Sequence, residues 1–316
     1  MGKKKIAVIA LGGNALSKPG EIGDIPQQFA NTRATCLHVL KFMEKGFQLC
    51  LTHGNGPQVG NALRRVELAE NEIYPLDLGI CVADTEGGMG YMIQQEMRNT
   101  FLKQKITPKD VVTVITQVII DKNDQAFKNP TKPIGRFFRA KEAETMIREK
   151  KWIMVEDAGR GWRRVVPSPR PLRIVEASVV KRLLADDVIV IACGGGGIPV
   201  IELDHGILDG LEAVIDKDYA SSLLAQEIEA DFLLIATGVD QVAINFGKKN
   251  QELFSELSVD KAMHYLEQGE FPKGSMGPKI IAACDFVKKT GKPAIITSLE
   301  KMEEAIEGKS GTRIVR

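Results

Sequence analysis

The sequence predicts an α/β protein built on a mainly parallel sheet, and three observations carry that prediction. Several short apolar runs, beginning with residues 5–11, lack the alternation of a half-exposed strand and read as strands covered on both faces. Helical patterns alternate with these runs along the chain, the arrangement that right-handed crossover connections produce. The runs end in glycine-rich or charged turns, and in such sheets ligands gather beyond the carboxyl ends of the strands.

Length and composition bound the problem before any motif does. The 316 residues are 44% hydrophobic, enough for a sizeable core in one large or two medium domains. A formal net charge of +1 gives no electrostatic reason to expect nucleic acid or a membrane surface. Aromatic residues make up only 6% and do not interleave with basic runs, so a base-stacking platform is not expected. No apolar run reaches transmembrane length. Cys36, Cys50, Cys81, Cys193 and Cys284 sit singly and read as small buried hydrophobes of a reducing cytoplasm. His38, His53, His205 and His264 share no ligand spacing, so neither a zinc site nor any other protein-held metal is expected.

Taken in order, the strand over 5–11 breaks at Gly12-Gly13-Asn14-Ala15, where two glycines can present bare N–H groups to an anion. A helix is predicted from about 25 to 45, stopped by Gly46. A second strand over 47–52 ends in His53-Gly54-Asn55-Gly56-Pro57-Gln58-Val59-Gly60, a glycine loop at a helix N-terminus with Pro57 in its first turn. Its third glycine falls one residue late for a dinucleotide fingerprint, and Gly308-Lys309-Ser310 lacks the upstream glycine of a P-loop. Glu86-Gly87-Gly88 reads as a turn before a helix over 89–104, and the β-branched run 110–120 as one more buried strand.

From about 121 to 171 the chain becomes polar and proline-bordered. It carries a charged helix around 140–150 and a hairpin-like stretch over 152–166, the marks of a protruding flap. Lys132, Arg160, Arg163 and Arg164 give this segment enough cations to cover an anionic substrate, or simply to solvate a surface lobe. A helix over 178–185 and a strand over 188–192 follow, then Gly194 to Gly197. Four successive glycines carry a large entropic penalty and imply that the backbone closely approaches something.

The apolar run 213–215 reads as a strand feeding a tight turn, Asp216-Lys217-Asp218, into a helix. Facing a crevice, Lys217 between two carboxylates can stabilise a phosphoryl group; on a plain helix N-terminus, Asp218 caps and Lys217 points to solvent. A strand over 231–236 runs out at Thr237-Gly238-Val239-Asp240. A loop with two lysines, 271–279, opens a helix over 280–289, and strands over 293–297 and 312–315 end the chain. No Ser-His-Asp, Cys-His or paired-carboxylate pattern is present. What recurs is backbone nests with isolated lysines at strand ends, the equipment for phosphoryl transfer by positioning and charge. Lys132, Lys217 and Lys279 are the candidate clamps. Asp216 and Asp218 would orient them or reach Mg²⁺ through water.

Six blocks in one order resemble the carbamate kinases of the amino-acid kinase family. They are residues 10–16, 52–60, Lys132-Pro133-Ile134-Gly135, Gly194 with 195–200, Ile215-Asp216-Lys217-Asp218, and Gly274-Ser275-Met276-Gly277-Pro278-Lys279. The resemblance spans essentially the whole chain. It implies a three-layer αβα sandwich with a protruding subdomain, a homodimer, and reversible transfer between Mg-ATP and carbamate. That reaction is usually run toward ATP, in arginine and carbamoyl phosphate catabolism. By the same resemblance, Gly12, Gly13, Asn14, Gly54, Asn55 and Gly56 hold carbamoyl phosphate, and Lys132 reaches in from the flap. Lys217 and Lys279 bracket the phosphoryl group with Asp218 organising them. The nucleotide lies near Thr237, Gly238, Val239, Asp240 and the loop Gly274, Ser275, Met276, Gly277. Residues 1–187, with the flap at about 121–171, then form a carbamoyl phosphate half and residues 188–316 a nucleotide half. One departure is Arg136-Phe137-Phe138 after Gly135, where the family pattern continues Pro-Phe-Tyr-like. The alternatives are an acylamino-acid or aspartate kinase, a non-catalytic sensor of nucleotide or carbamoyl phosphate, and a dehydrogenase; the long segment after Ile120 and the late glycine weigh against the first and last.

Overall fold

The strand Ile6–Leu11 is buried at all six positions, and its alternate side chains enter two separate cores. Ile6, Val8 and Ala10 face one and Ala7, Ile9 and Leu11 the other, the period-two split of a strand covered on both faces. In the computed structural model, which describes residues 4–16, 20–156 and 161–316 (at Asn14 the backbone only), this strand sits inside an eight-stranded sheet. Across the sheet the order is Glu256–Ser258, Thr312–Val315, Ala294–Ser298, Phe232–Thr237, Ile6–Leu11, Gln48–His53, Ile189–Ile191 and Val111–Thr113. Every pairing is parallel except that of Ala294–Ser298 with Thr312–Val315.

Helices cover both faces. One layer contains Ala177–Ala185, Lys217–Glu227 and Met276–Thr290; the other contains Ile25–Glu44, Leu78–Lys103 and Met302–Ile306. This is the three-layer αβα arrangement that the resemblance implied. The helix Ile25–Glu44 starts where Asp24 accepts the Gln27 N–H at 2.9 Å and gives way to Gly46 at φ 88°, a left-handed position suited to glycine. All five cysteines are free and buried. Among the described residues, no helix is long and apolar enough to cross a membrane.

The polar segment builds its own antiparallel sheet of Lys132–Phe138, Trp162–Val166 and Met154–Glu156, with the helix Ala140–Lys150. Its private core is small: Phe138, Ala143 and Met154, flanked by Met146, Trp152 and Trp162. Guanidinium stacking adds to it, Arg136 over Phe138 at 4.0 Å and Arg164 over Trp152 at 4.6 Å. Arg160 lies outside the described residues.

Four expectations are corrected. The run 110–120 is two strands in different sheets. Val111–Thr113 joins the large sheet, and Gln117–Ile120 joins a four-stranded sheet with Pro171–Ile174, Ile198–Glu202 and Leu208–Gly210. The break falls at Thr116, whose N–H is taken out of the large sheet by Glu86 at 3.0 Å, while its carbonyl already accepts the Ile198 N–H at 2.9 Å in the second sheet. The helix expected over 89–104 begins at Leu78, so Glu86-Gly87-Gly88 is helical; packing along 26 residues outweighs glycine penalties of about 1 kcal/mol each. Residues 213–215 join no sheet, although all three are buried and Val214 donates to the Pro167 carbonyl at 3.0 Å. Lys279 stands in the first turn of the helix Met276–Thr290 rather than in the loop before it. The hairpin Val242–Ile244 with Glu252–Phe254, and the helix Val259–Glu267, had no counterpart in the sequence reading.

Candidate active site

The charged turn closes on itself before it reaches anything else. Asp216, the residue ahead of the helix Lys217–Glu227, accepts the Asp218 N–H on one oxygen at 2.9 Å. Asp216 is therefore the cap, not Asp218. Its other oxygen accepts Lys132 Nζ at 2.7 Å, so a lysine 84 residues away on the flap is tied to the helix start. Asp218 is turned inward. Its two oxygens accept Lys217 Nζ at 2.6 Å and Lys279 Nζ at 2.7 Å. Three ammoniums and two carboxylates leave one positive charge in the cluster, beside the ends of the parallel strands.

Burial alone would raise the Asp218 carboxyl, but Lys217 and Lys279 outweigh it and hold the group well below the usual carboxylate range. Burial lowers Lys217; the attraction of Asp218 opposes that and the repulsion of Lys279 adds to it. A buried charge set of this kind keeps its sign only because its members are paired.

The glycine nests lie against this cluster. A Cβ at Gly54 would stand 3.2 Å from Lys217 Cδ, so the lysine stem crosses the nest. Gly12 has no room for a side chain, since a Cβ would come within 2.8 Å of the Ala236 carbonyl oxygen. Gly12 is followed by a single tight turn, Gly13–Ala15. Asn55 precedes the helix Gly56–Ala69 and spends its side-chain amide on Thr85 Oγ1 at 2.9 Å. The approach implied by Gly194 to Gly197 is to the protein itself. Cβ atoms at Gly195, Gly196 and Gly197 would meet the Asn55 side chain, the Ile215 carbonyl and Val118, all within 2.3 Å.

A cleft of about 490 Å³ opens where the strands Ile6–Leu11 and Phe232–Thr237 end. Gly12, Gly13, Thr237, Gly238 and Lys279 line it, bringing the first nest and part of the expected nucleotide set into one wall. Val239 and Asp240 follow on the same strand-end loop, while Gly274, Ser275, Met276 and Gly277 form the entry to the helix carrying Lys279; none of these six lines the cleft. Asn31, Thr35 and His38 do line it, and the sequence reading missed them. Their spacing of four and three residues puts them on one face of the helix Ile25–Glu44, a polar face turned inward that could have flagged them. Among the described residues, no group of three or more His, Cys, Asp or Glu could hold a metal ion.

Comparison with known proteins agrees with this geometry. Residues 5–298 match the profile of the amino acid kinase family. The carbamate kinase of Pyrococcus horikoshii is 47% identical over 311 residues, covering 97% of this chain and 98% of the relative. The carbamate kinase-like protein YahI of Escherichia coli is 46% identical over 99% of both chains. Among solved structures, carbamate kinase from Giardia lamblia bound to AMP-PNP is similar at a TM-score of 0.91 and 43% identity, covering 99% of this chain and 98% of that one. The chain belongs to the amino acid kinase family and, within it, to the carbamate kinases.

Proposed function

We infer that the chain is a carbamate kinase that transfers a phosphoryl group reversibly between ATP and carbamate, working mainly toward ATP from carbamoyl phosphate and ADP. The observation that carries the reading is the convergence of Lys132, Lys217 and Lys279 on Asp216 and Asp218 beside the glycine nests. Carbamate is already an anion, so attack on a phosphoryl group needs no base. The protein has to align two anions and neutralise the charge between them. In this reading Lys217 and Lys279 flank the phosphoryl group in transit, and Asp218 holds both ammoniums in place before substrate arrives. Lys132 comes in from the flap. The backbone at Gly12, Gly13, Asn14, Gly54, Asn55 and Gly56 reads the carbamoyl group, which has almost no side chain to recognise.

The nucleotide would occupy the second half, with its phosphates at Thr237 and Gly238 across the cleft from Gly12 and Gly13. The family's use of ATP implies a divalent metal, and we take it to be Mg²⁺. The carboxylates here are committed to lysines, which fits a metal carried on the nucleotide's phosphates and reached by Asp216 or Asp218 only through water. Bound there, it would neutralise phosphate charge. We extend the reading to a homodimer: the net charge does not oppose self-association, and exposed Ile25, Ile73 and Tyr74 border an apolar groove of about 640 Å³. Sedimentation giving only a 34.7 kDa species at micromolar concentration would overturn the dimer.

A coupled assay tests the activity. ATP should form from ADP, carbamoyl phosphate and Mg²⁺, with little phosphorylation of acetylglutamate or aspartate. Nucleotide binding without turnover would make the protein a sensor, and activity on an amino acid would move it to another branch of the family.

A further inference from the structure

A polar cluster beneath the second glycine loop has no part in the reading above. His53 closes the strand Gln48–His53 one residue before Gly54, and Glu86 lies inside the helix Leu78–Lys103. Their relative exposures are 0% and 1%. They meet at Gly194, where a Cβ would stand 2.5 Å from His53 Nε2 and 2.9 Å from Glu86 Cγ. His53 Nδ1 is 3.2 Å from the Gly54 carbonyl oxygen. A carbonyl only accepts, so Nδ1 carries the ring proton and Nε2 is left as an acceptor. Glu86 Oε2 takes the Thr116 N–H at 3.0 Å, and the Gly194 N–H also lies against this carboxyl. Glu86 Oε1 and His53 Nε2 are both buried with no hydrogen-bond partner among the described residues. Two bare acceptors crowding one residue in a dry interior are unfavourable; as placed they do not bond each other, and a single proton on the carboxyl would satisfy both once Oε1 turns onto Nε2.

We propose that Glu86 and His53 are positioning residues for the carbamoyl phosphate nest: Glu86 is a neutral acid that donates its Oε1–H to His53 Nε2. That bond would tie the strand end carrying Gly54 to the long helix and to the Gly194 loop. The proposal rests on the reading of Gly54-Asn55-Gly56 as that nest.

The electrostatics run the same way. Burial pushes Glu86 up to about 8, against the Thr116 and Gly194 N–H groups and helped by Glu176. Burial pulls His53 down to about 4, against the Gly54 carbonyl and helped by Lys217. The ionisable groups facing the pair are therefore Glu176, Lys217 and the thiol of Cys193, which burial and Glu86 both push upward. Loss of the Glu86 proton would set two acceptors against each other and place a negative charge behind a nest meant for an anion.

Two measurements test this. The infrared spectrum at pH 7 should contain the carbonyl band of a protonated buried carboxyl, fading with a midpoint near pH 8 and missing from Glu86→Gln. This readout needs no turnover, so its failure is distinct from failure of the kinase reading. The second is the KM for carbamoyl phosphate. One unit above its pKa about nine-tenths of a group is ionised, so KM should rise about tenfold between pH 7 and pH 9 if only the protonated form orders the nest. Glu86→Gln keeps an acceptor for the two N–H groups and a donor for His53, and should abolish most of that rise; the KM for ADP should not share it. Absence of the band, or an equal rise in Glu86→Gln, would overturn the proposal. If Glu86→Gln does not fold, the band of the parent protein alone decides.

Discussion

Asp218 and Glu86 are carboxyl groups buried to nearly the same degree, 2% and 1% exposed, yet the structure drives them to opposite protonation states. Asp218 sits between two ammoniums at 2.6 and 2.7 Å and stays ionised. Glu86 has backbone N–H groups on it but no lysine or arginine among the influences that set its titration, and burial prevails. Burial by itself therefore does not decide what a carboxyl does here; the cations delivered to it do. The region that would receive a phosphoryl group is built from paired charges, and the region that braces the glycine loops is built from neutral ones.

The largest effect should come from erasing that difference at Asp218. Asp218→Asn removes the partner shared by Lys217 and Lys279 and leaves two buried ammoniums facing each other. Breaking a buried pair from one side costs about 3–5 kcal/mol, measurable as urea unfolding, and activity should fall with it. A variant within about 1 kcal/mol of the parent would mean that the lysines never depended on Asp218.

Lys217→Ala probes the same cluster from the cation side. If Lys217 acts at the transition state, kcat should fall about a hundredfold, near 3 kcal/mol, with nucleotide affinity much less affected. Turnover within a factor of about two would reduce Lys217 to a bystander at a helix start.

Stability against pH separates the two carboxyls next, and the signs are opposite. Asp218 titrates below its ordinary 3.8 in the folded chain, so its contribution is present above 3.8 and is lost as pH falls through the folded value. Glu86 titrates at about 8 instead of 4.5, so its contribution is complete below 4.5 and is lost as pH rises toward 8. In that window one proton distinguishes folded from unfolded chain, a slope of about 1.4 kcal/mol per pH unit. Urea unfolding at pH 5.5 and 7.5 should show the parent losing about 2–3 kcal/mol relative to Glu86→Gln across that interval. A gap that does not change with pH would mean that Glu86 ionises inside the fold.

How much of this was legible in the sequence follows the same divide. The alternation of apolar runs and helices was enough for the sheet, because each core strand is buried along its own length and needs no distant information. The charged turn and the lysines stood out because isolated charges at strand ends are conspicuous. Three features were not legible: the break at Thr116, the unbroken helix through Glu86-Gly87-Gly88, and the purpose of the glycine run at 194–197. Each depends on a partner far along the chain. Thr116 is 30 residues from Glu86, the Cys193 N–H reaches Thr116 Oγ1 across 77, and Gly196 is fixed by the Ile215 carbonyl. Local pattern took Gly87 and Gly88 for a turn and left open what Gly194 to Gly197 approach; for the latter run, close packing against the protein's own atoms is the answer.

The flap lysine completes the gradient and gives the smallest effect on stability. Lys132 and Asp216 pair at 2.7 Å, but their side chains are 30% and 16% exposed, against 11% and 4% for Lys217 and Asp218. A pair that water reaches is worth about 1 kcal/mol at most, so Lys132→Ala should unfold within that margin of the parent. Near Lys132 its strand is anchored through Ile134 to the helices Gly56–Ala69 and Leu78–Lys103. The outer part of the subdomain rests on a core of three buried side chains, which sets a low local barrier to opening there. Amides of residues 132–156 should thus exchange faster than those of Ile6–Leu11 in the free protein and slow down when ADP and carbamoyl phosphate are both bound. In Lys132→Ala that slowing should weaken while the core strand is unaffected, because the ammonium adds a charged tie to Asp216 beside the packing of Ile134 and Val166 on Val214. Exchange in 132–156 that is indifferent to substrates would leave Lys132 a surface charge and the flap a fixed lobe.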